Sequence, residues 1–145
     1  MYLLLALVPV IFTDCAKDTC NRERTIVMFK PVWESKDAVR SQIKSGPARE
    51  VVRPGKIYII GNNIFLNEID KGIHVIDNSN PSSPSNVAFI NVPGNMDLAV
   101  KGDVLYADLY TDLVAIDISD PLHVVTKKII DNAFPERRYT NGFVA

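Results

Sequence analysis

The sequence predicts an all-β chain folded as part of a β-propeller, and three observations carry that prediction. From Lys56 onward the chain is a succession of short runs rich in β-branched and aromatic residues, each closed by Gly, Asn, Asp or Pro. The stretch IIGNNIFLNEIDKGIHVIDNSNP recurs forty positions later, without a gap, as AVKGDVLYADLYTDLVAIDISDP, so that Ile76 falls on Ile116, Asp77 on Asp117, Ser79 on Ser119 and Pro81 on Pro121. Runs such as IYII and LVAI are apolar on both alternating faces, which calls for cover on both sides. A period of about 40 to 45 residues with four strands in each unit is that of a propeller blade, a small sheet stacked between neighbours. A helical repeat of similar length would show a 3.6-residue period, and these runs show none.

The N-terminus reads differently. Residues 1–12, MYLLLALVPVIF, are apolar apart from Pro9 and too short for a membrane span of roughly 20 residues, but they suit the apolar region of a secretory signal. The abrupt change to TDCAKDTCNRER predicts a signal peptide over 1–14. No cation precedes the apolar run, since Met1 is followed directly by Tyr2, so the natural start is expected upstream. Cys15 and Cys20 then admit three readings: a small disulfide loop, unmodified thiols, or lipid attachment at Cys15. VIFTDC resembles a lipobox, with Asp14 standing where that motif carries a small residue. CAKDT resembles the Lys-Asp/Glu signal of surface lipoproteins in Bacteroidetes-type bacteria, which would assign that export role to Lys17 and Asp18.

Residues 15–30, polar and without a period over most of their length, suit a lipoprotein tether. The segment 31–48 is expected to hold a short helix capped by Ser35, with Ala38, Val39 and Ile43 on its apolar side and Gly46-Pro47 as its stop. Trp33, just before it, is expected to be a packing anchor rather than a stacking platform for a ligand. The propeller portion covers 49–145, with eight strand runs between Lys56 and Ile130. Gly61-Asn62-Asn63 and Lys101-Gly102-Asp103 supply the tight turn between the first two strands of each unit.

The strands GIHVID and DLVAID, each followed by a Ser-Asn/Asp-Pro turn, resemble the LVIVD-repeat family from Lys56 to about Ile130. The resemblance implies a β-propeller, here about two blades of four short antiparallel strands, and assigns no activity. The whole chain resembles the N-terminal part of longer lipoproteins carrying these repeats, so it is expected to be truncated: a closed propeller needs about 4 to 8 blades. The recurring turn has its own chemistry. Asp77 and Asp117 can accept backbone N–H groups as the chain leaves the sheet, Ser79 and Ser119 can do likewise, and Pro81 and Pro121 stop the ladder. These residues are read as structural rather than catalytic.

Little else suggests chemistry. The net charge of −1 lacks the cationic excess of a nucleic-acid binder. His74 and His123 have no partner at metal-ligand spacing, and the common nucleophile, zinc and nucleotide motifs do not occur, so neither a metal nor a cofactor is expected. Glu68, Asp70, Asp108 and Asp112 recur at equivalent hairpins; they could bind calcium or serve a carbohydrate-active site, but are read as solvated hairpin tips. Arg137, Arg138 and Tyr139 could meet an acidic ligand and are read as a solvated loop. The expectation is therefore an exported, surface-anchored outer-membrane lipoprotein. Its blades would bind or scaffold an unknown protein or glycan, and an acyl anchor would sit in outer-membrane lipid. The alternatives are an extracellular carbohydrate-active enzyme completed by further blades, and a periplasmic or secreted location.

Overall fold

The computed structural model describes residue 30 and residues 32–137. The expected signal peptide over 1–14, Cys15, Lys17, Asp18, Cys20, Arg138 and Tyr139 lie outside the described residues, as does the tether short of residue 30.

The described chain is almost wholly β. After the helix α1 (Lys36–Arg40) come β1 (Lys44–Pro47), β2 (Pro54–Ile60), β3 (Asn63–Glu68), β4 (Gly72–Asp77), β5 (Ser85–Asn91), β6 (Leu98–Lys101), β7 (Val104–Leu109), β8 (Asp112–Asp117) and β9 (Val125–Ile130). They form two antiparallel sheets, a five-stranded one ordered β1-β5-β4-β3-β2 and a four-stranded one ordered β6-β7-β8-β9. Each repeat is thus one meander of four strands. The first strands of the two meanders, β2 and β6, lie in contact, as the inner strands of adjacent blades do, and the molecule is a partial β-propeller.

The repeat extends to local detail. Gly61 and Gly102 turn the first hairpin of each blade at φ +54° and +56°, a conformation that glycine adopts without the strain other residues meet there. Asp70 and Tyr110 occupy the second hairpin at φ +67° and +57°. The register of the third and fourth strands slips at Val75/Ile76 in one blade and at Ala115/Ile116, forty residues on, in the other.

One core joins the sheets. Phe65, Ile73, Val75 and Ile90 of the first pack with Leu98, Leu105, Val114 and Ile116 of the second in a single buried cluster. On β7 only alternate residues, Leu105, Ala107 and Leu109, are buried, the period-2 pattern of a sheet packed on one side. The first sheet is covered on its other face too, where Leu66, His74 and Phe89 are buried. A strap running from Arg49 to Arg53 lies there, with the Arg49 guanidinium 4.3 Å above the Phe89 ring. On β2, by contrast, Ile57 and Ile59 remain 57% and 59% exposed, so the cover expected for both faces of IYII is present on one.

The N-terminal segment departs from its sequence reading. Ser35 does cap α1, its Oγ accepting from the Ala38 N–H at 3.2 Å, but the helix ends at Arg40. Gly46-Pro47 is no helix stop; it lies in β1, which pairs with the outer strand β5. Pro47 is tolerated there because an edge strand has one side with no ladder to break. Ile43, expected on the helix, instead enters the core between α1 and β1. The Ser45 hydroxyl donates to the Pro121 carbonyl at 2.8 Å and accepts from the Val124 N–H at 3.3 Å. The segment 36–47 therefore clasps the outer edges of both blades.

Candidate functional site

The acidic residues at equivalent hairpins are engaged by the fold. Glu68, at the end of β3, accepts the N–H groups of Val52 and Arg53 at 3.0 and 2.5 Å. Asp108, its counterpart on β7, accepts those of Met96 and Asp97 at 2.8 and 2.9 Å. In each blade one carboxylate holds two successive backbone donors of the chain leading into the first strand, so these acids pin blade connections rather than wave in solvent. Burial pushes Glu68 upward, but the two N–H groups and His74 outweigh it and hold the carboxyl below its usual range. His74 is fully buried, with Nε2 3.1 Å from Glu68, Nδ1 3.3 Å from the Asn86 amide, and an edge contact to Phe89 at 4.9 Å. His123 is exposed and pairs with Asp120 at 2.8 Å.

Asp112 is nearly enclosed. It takes Arg40 at 2.7 Å, Lys36 at 3.2 Å and the Asn132 N–H at 3.0 Å. Burial acts to raise its pKa, yet Arg40, the Asn132 N–H and Lys36 together lower it to about 2. Arg137 is neither a free ligand-binding cation nor part of a solvated loop. Its guanidinium bonds Asp70 at 3.1 Å, the Gly94 carbonyl at 2.5 Å, and Asp108, tying the β3–β4 hairpin to the second blade. Lys56 on β2 adds an ion pair to Asp97 before β6, at 2.8 Å.

At the repeated turns, Asp77 Oδ1 accepts the Ser79 N–H at 2.8 Å and its hydroxyl at 2.6 Å. Those bonds, the hydroxyl first, lower its pKa. Asp117 Oδ1 accepts the Ser119 N–H at 2.9 Å, and Lys127, at 2.8 Å, is the main cause that lowers its pKa. Pro81 and Pro121 sit in the turns that follow. Two fully buried amides carry no obvious sequence signal beyond a polar residue at core-facing spacing. Asn67 donates to Asn95 and to the Gly72 carbonyl, and Asn95 donates to Asp108 at 2.9 Å.

An open groove of about 570 Å³ lies between the N-terminal segment and the rim of the second blade, lined in part by Asp112 and the cations Lys36, Arg40 and Arg137. Trp33, Lys36 and Arg40 border one side, and Tyr110, Thr111 and Asp112 of the β7–β8 hairpin the other. Trp33 is 90% exposed, which corrects its reading as a packing anchor. Sequence reasoning missed the groove because its walls are far apart in the chain, Lys36 and Asp112 being 76 positions apart. Among the described residues no group of three or more His, Cys, Asp or Glu side chains is placed to hold a metal ion.

Comparison with known proteins gives one match. A family model described as LVIVD repeat matches residues 55–91 and 94–132, together more than half of the chain. The two matched stretches end at the last residue of β5 and just beyond β9, so each repeat corresponds to one blade. No curated protein and no solved structure matches.

Proposed function

Because the chain belongs to the LVIVD-repeat family, we propose that it is a binding or scaffolding module, exported and held at the outer-membrane surface by a lipid on Cys15. One observation carries the binding role. The carboxylates that could have served chemistry, Glu68, Asp108 and Asp112, are each engaged by backbone donors or cations of the same chain, and Asp112, with the Lys36 and Arg40 it holds, lines the groove beside α1. Rigid blades that hold connecting loops in place are suited to recognition. Its ligand is a protein or a glycan, and the module has no catalytic activity of its own.

The anchor rests on the sequence: an apolar run before Cys15, then Lys17 and Asp18. The surface location follows from that signal. Mass spectrometry of the mature N-terminus is expected to find diacylglyceryl on Cys15; an unlipidated, processed N-terminus would place the protein in the periplasm or the medium instead. Cross-linking on intact cells is expected to yield partner contacts at α1 and the β7–β8 hairpin. Release of sugars from a polysaccharide panel incubated with the protein would overturn the non-catalytic reading.

A further inference from the structure

The groove beside α1 has a definite chemistry. It is bordered by three cations, Lys36, Arg40 and Arg137, and three anions, Glu34, Asp112 and Glu136. Every cation is engaged: Lys36 and Arg40 by Asp112, and Arg137 by Asp70 and Asp108. A carboxylate, phosphate or sulfate group would find no guanidinium fork open to it. A cationic ligand would meet no net field to collect it, because the bordering charges balance. An extended peptide is captured by an open sheet edge or a row of apolar pockets; here the walls are a helix and a hairpin turn, which offer its backbone no ladder to join.

What remains favours a neutral, hydroxyl-rich ligand. Trp33 and Tyr110, 90% and 46% exposed, present aromatic surface to the groove, and a flat ring held in water gains by stacking on the apolar C–H face of a sugar ring. Glu34 and Glu136 supply carboxylate acceptors, and Glu34 is oriented by the Gln42 amide at 2.9 Å. The groove volume of about 570 Å³ lies within the range of small-ligand sites. We propose that this groove binds a neutral oligosaccharide, with a sugar ring stacked on Trp33 and hydroxyls donated to Glu34 and Glu136. This rests on the binding-module reading and names its ligand class.

Trp33 is the chain's only tryptophan, so its fluorescence reports the site directly. The full chain, titrated with neutral and with acidic or sulfated oligosaccharides, is expected to change its emission saturably with a neutral glycan. Trp33→Ala should weaken that glycan's binding, measured by calorimetry, at least tenfold, while Trp33→Tyr retains most of it. Neither change should move the thermal midpoint, because the side chain is exposed. Binding confined to acidic glycans, binding that Trp33→Ala leaves intact, or no binding to the neutral panel each overturns the inference. A blank panel together with a protein cross-linked at α1 leaves the binding-module reading standing; a blank panel without rim cross-links removes both.

Discussion

Asp112 shows how one position of a repeat can diverge to new use. Its counterpart forty residues earlier is Gly72, which lies against the backbone of β5: a Cβ there would stand 2.2 Å from the Ile90 carbonyl oxygen and 2.9 Å from the Val92 nitrogen, at φ +147°. In the second blade the same position carries a carboxylate that takes Arg40 and Lys36 of the clasp. Its pKa is lowered to about 2. A carboxyl whose folded value lies below its unfolded one adds stability that is full above the ordinary carboxylate range and is lost as pH falls through the folded value. The span from the ordinary value of 3.8 down to about 2 corresponds to about 2 kcal/mol. Asp112→Asn should therefore lose about 2 kcal/mol at pH 7, and its urea midpoint should change less between pH 5 and about 2 than that of the unaltered protein. A variant whose acid limb matches that of the unaltered protein would refute the assignment. Gly72→Ala is expected to cost about 3 kcal/mol, since backbone must move. Gly61→Ala, at φ +54° with nothing within 4 Å of the added carbon, should cost about 1 kcal/mol, from its backbone conformation alone. Equal losses for the two glycines in urea melts would show that the close approach at Gly72 is not what its position requires.

Elements formed by local pattern were legible in the sequence, and those formed by distant pairing were not. The eight repeat strands announce themselves by β-branched runs and by Gly61 and Gly102 at positive φ. Even the matching register slips at Val75 and Ala115 are implicit in a gapless alignment. Lys44–Pro47 has no such signature. KSGP is a poor strand by composition, and it becomes β1 only because the outer edge of β5 offers a ladder. The Arg49–Arg53 strap is equally silent, being fixed by Glu68 and Phe89 through contacts that no local window contains. The acids at the hairpins were visible, but read as solvated tips because a sequence does not show which backbone donors approach them. The clasp carries its own prediction. Ser45→Ala removes a hydroxyl that both donates to Pro121 and accepts from Val124, and should lower stability by about 1 kcal/mol. Hydrogen exchange should locate the loss: amides of β1 and of the β8–β9 connection lose protection before those of β3 and β4. Uniform loss across both sheets would mean that the segment is not a separate clasp.

Across the whole molecule, the question is whether two blades behave as two units or one. Repeat proteins commonly divide their stability into separate repeats plus interfaces between neighbours. Here the division is blurred, because the buried cluster draws its residues from both sheets. The polar ties also cross the boundary: Lys56 to Asp97, Arg137 from Asp70 to Asp108, and Ser45 to Pro121. Leu105 on β7 is fully buried in the shared cluster. Replacing it by Ala should cost about 3 kcal/mol through lost transfer energy and the cavity left behind. If the core is common property, that loss must be felt on the far side of it. Amides of β3 and β4 in the first blade should then lose exchange protection by the same free energy as those of β7 and β8, and the urea transition should remain a single one. Full protection kept in β3 and β4 while β7 and β8 open would mean that each blade folds by itself. The blade–blade contact would then be docking between finished units, and the groove beside α1, which borrows walls from the clasp and from the second blade, would be only as fixed as that docking.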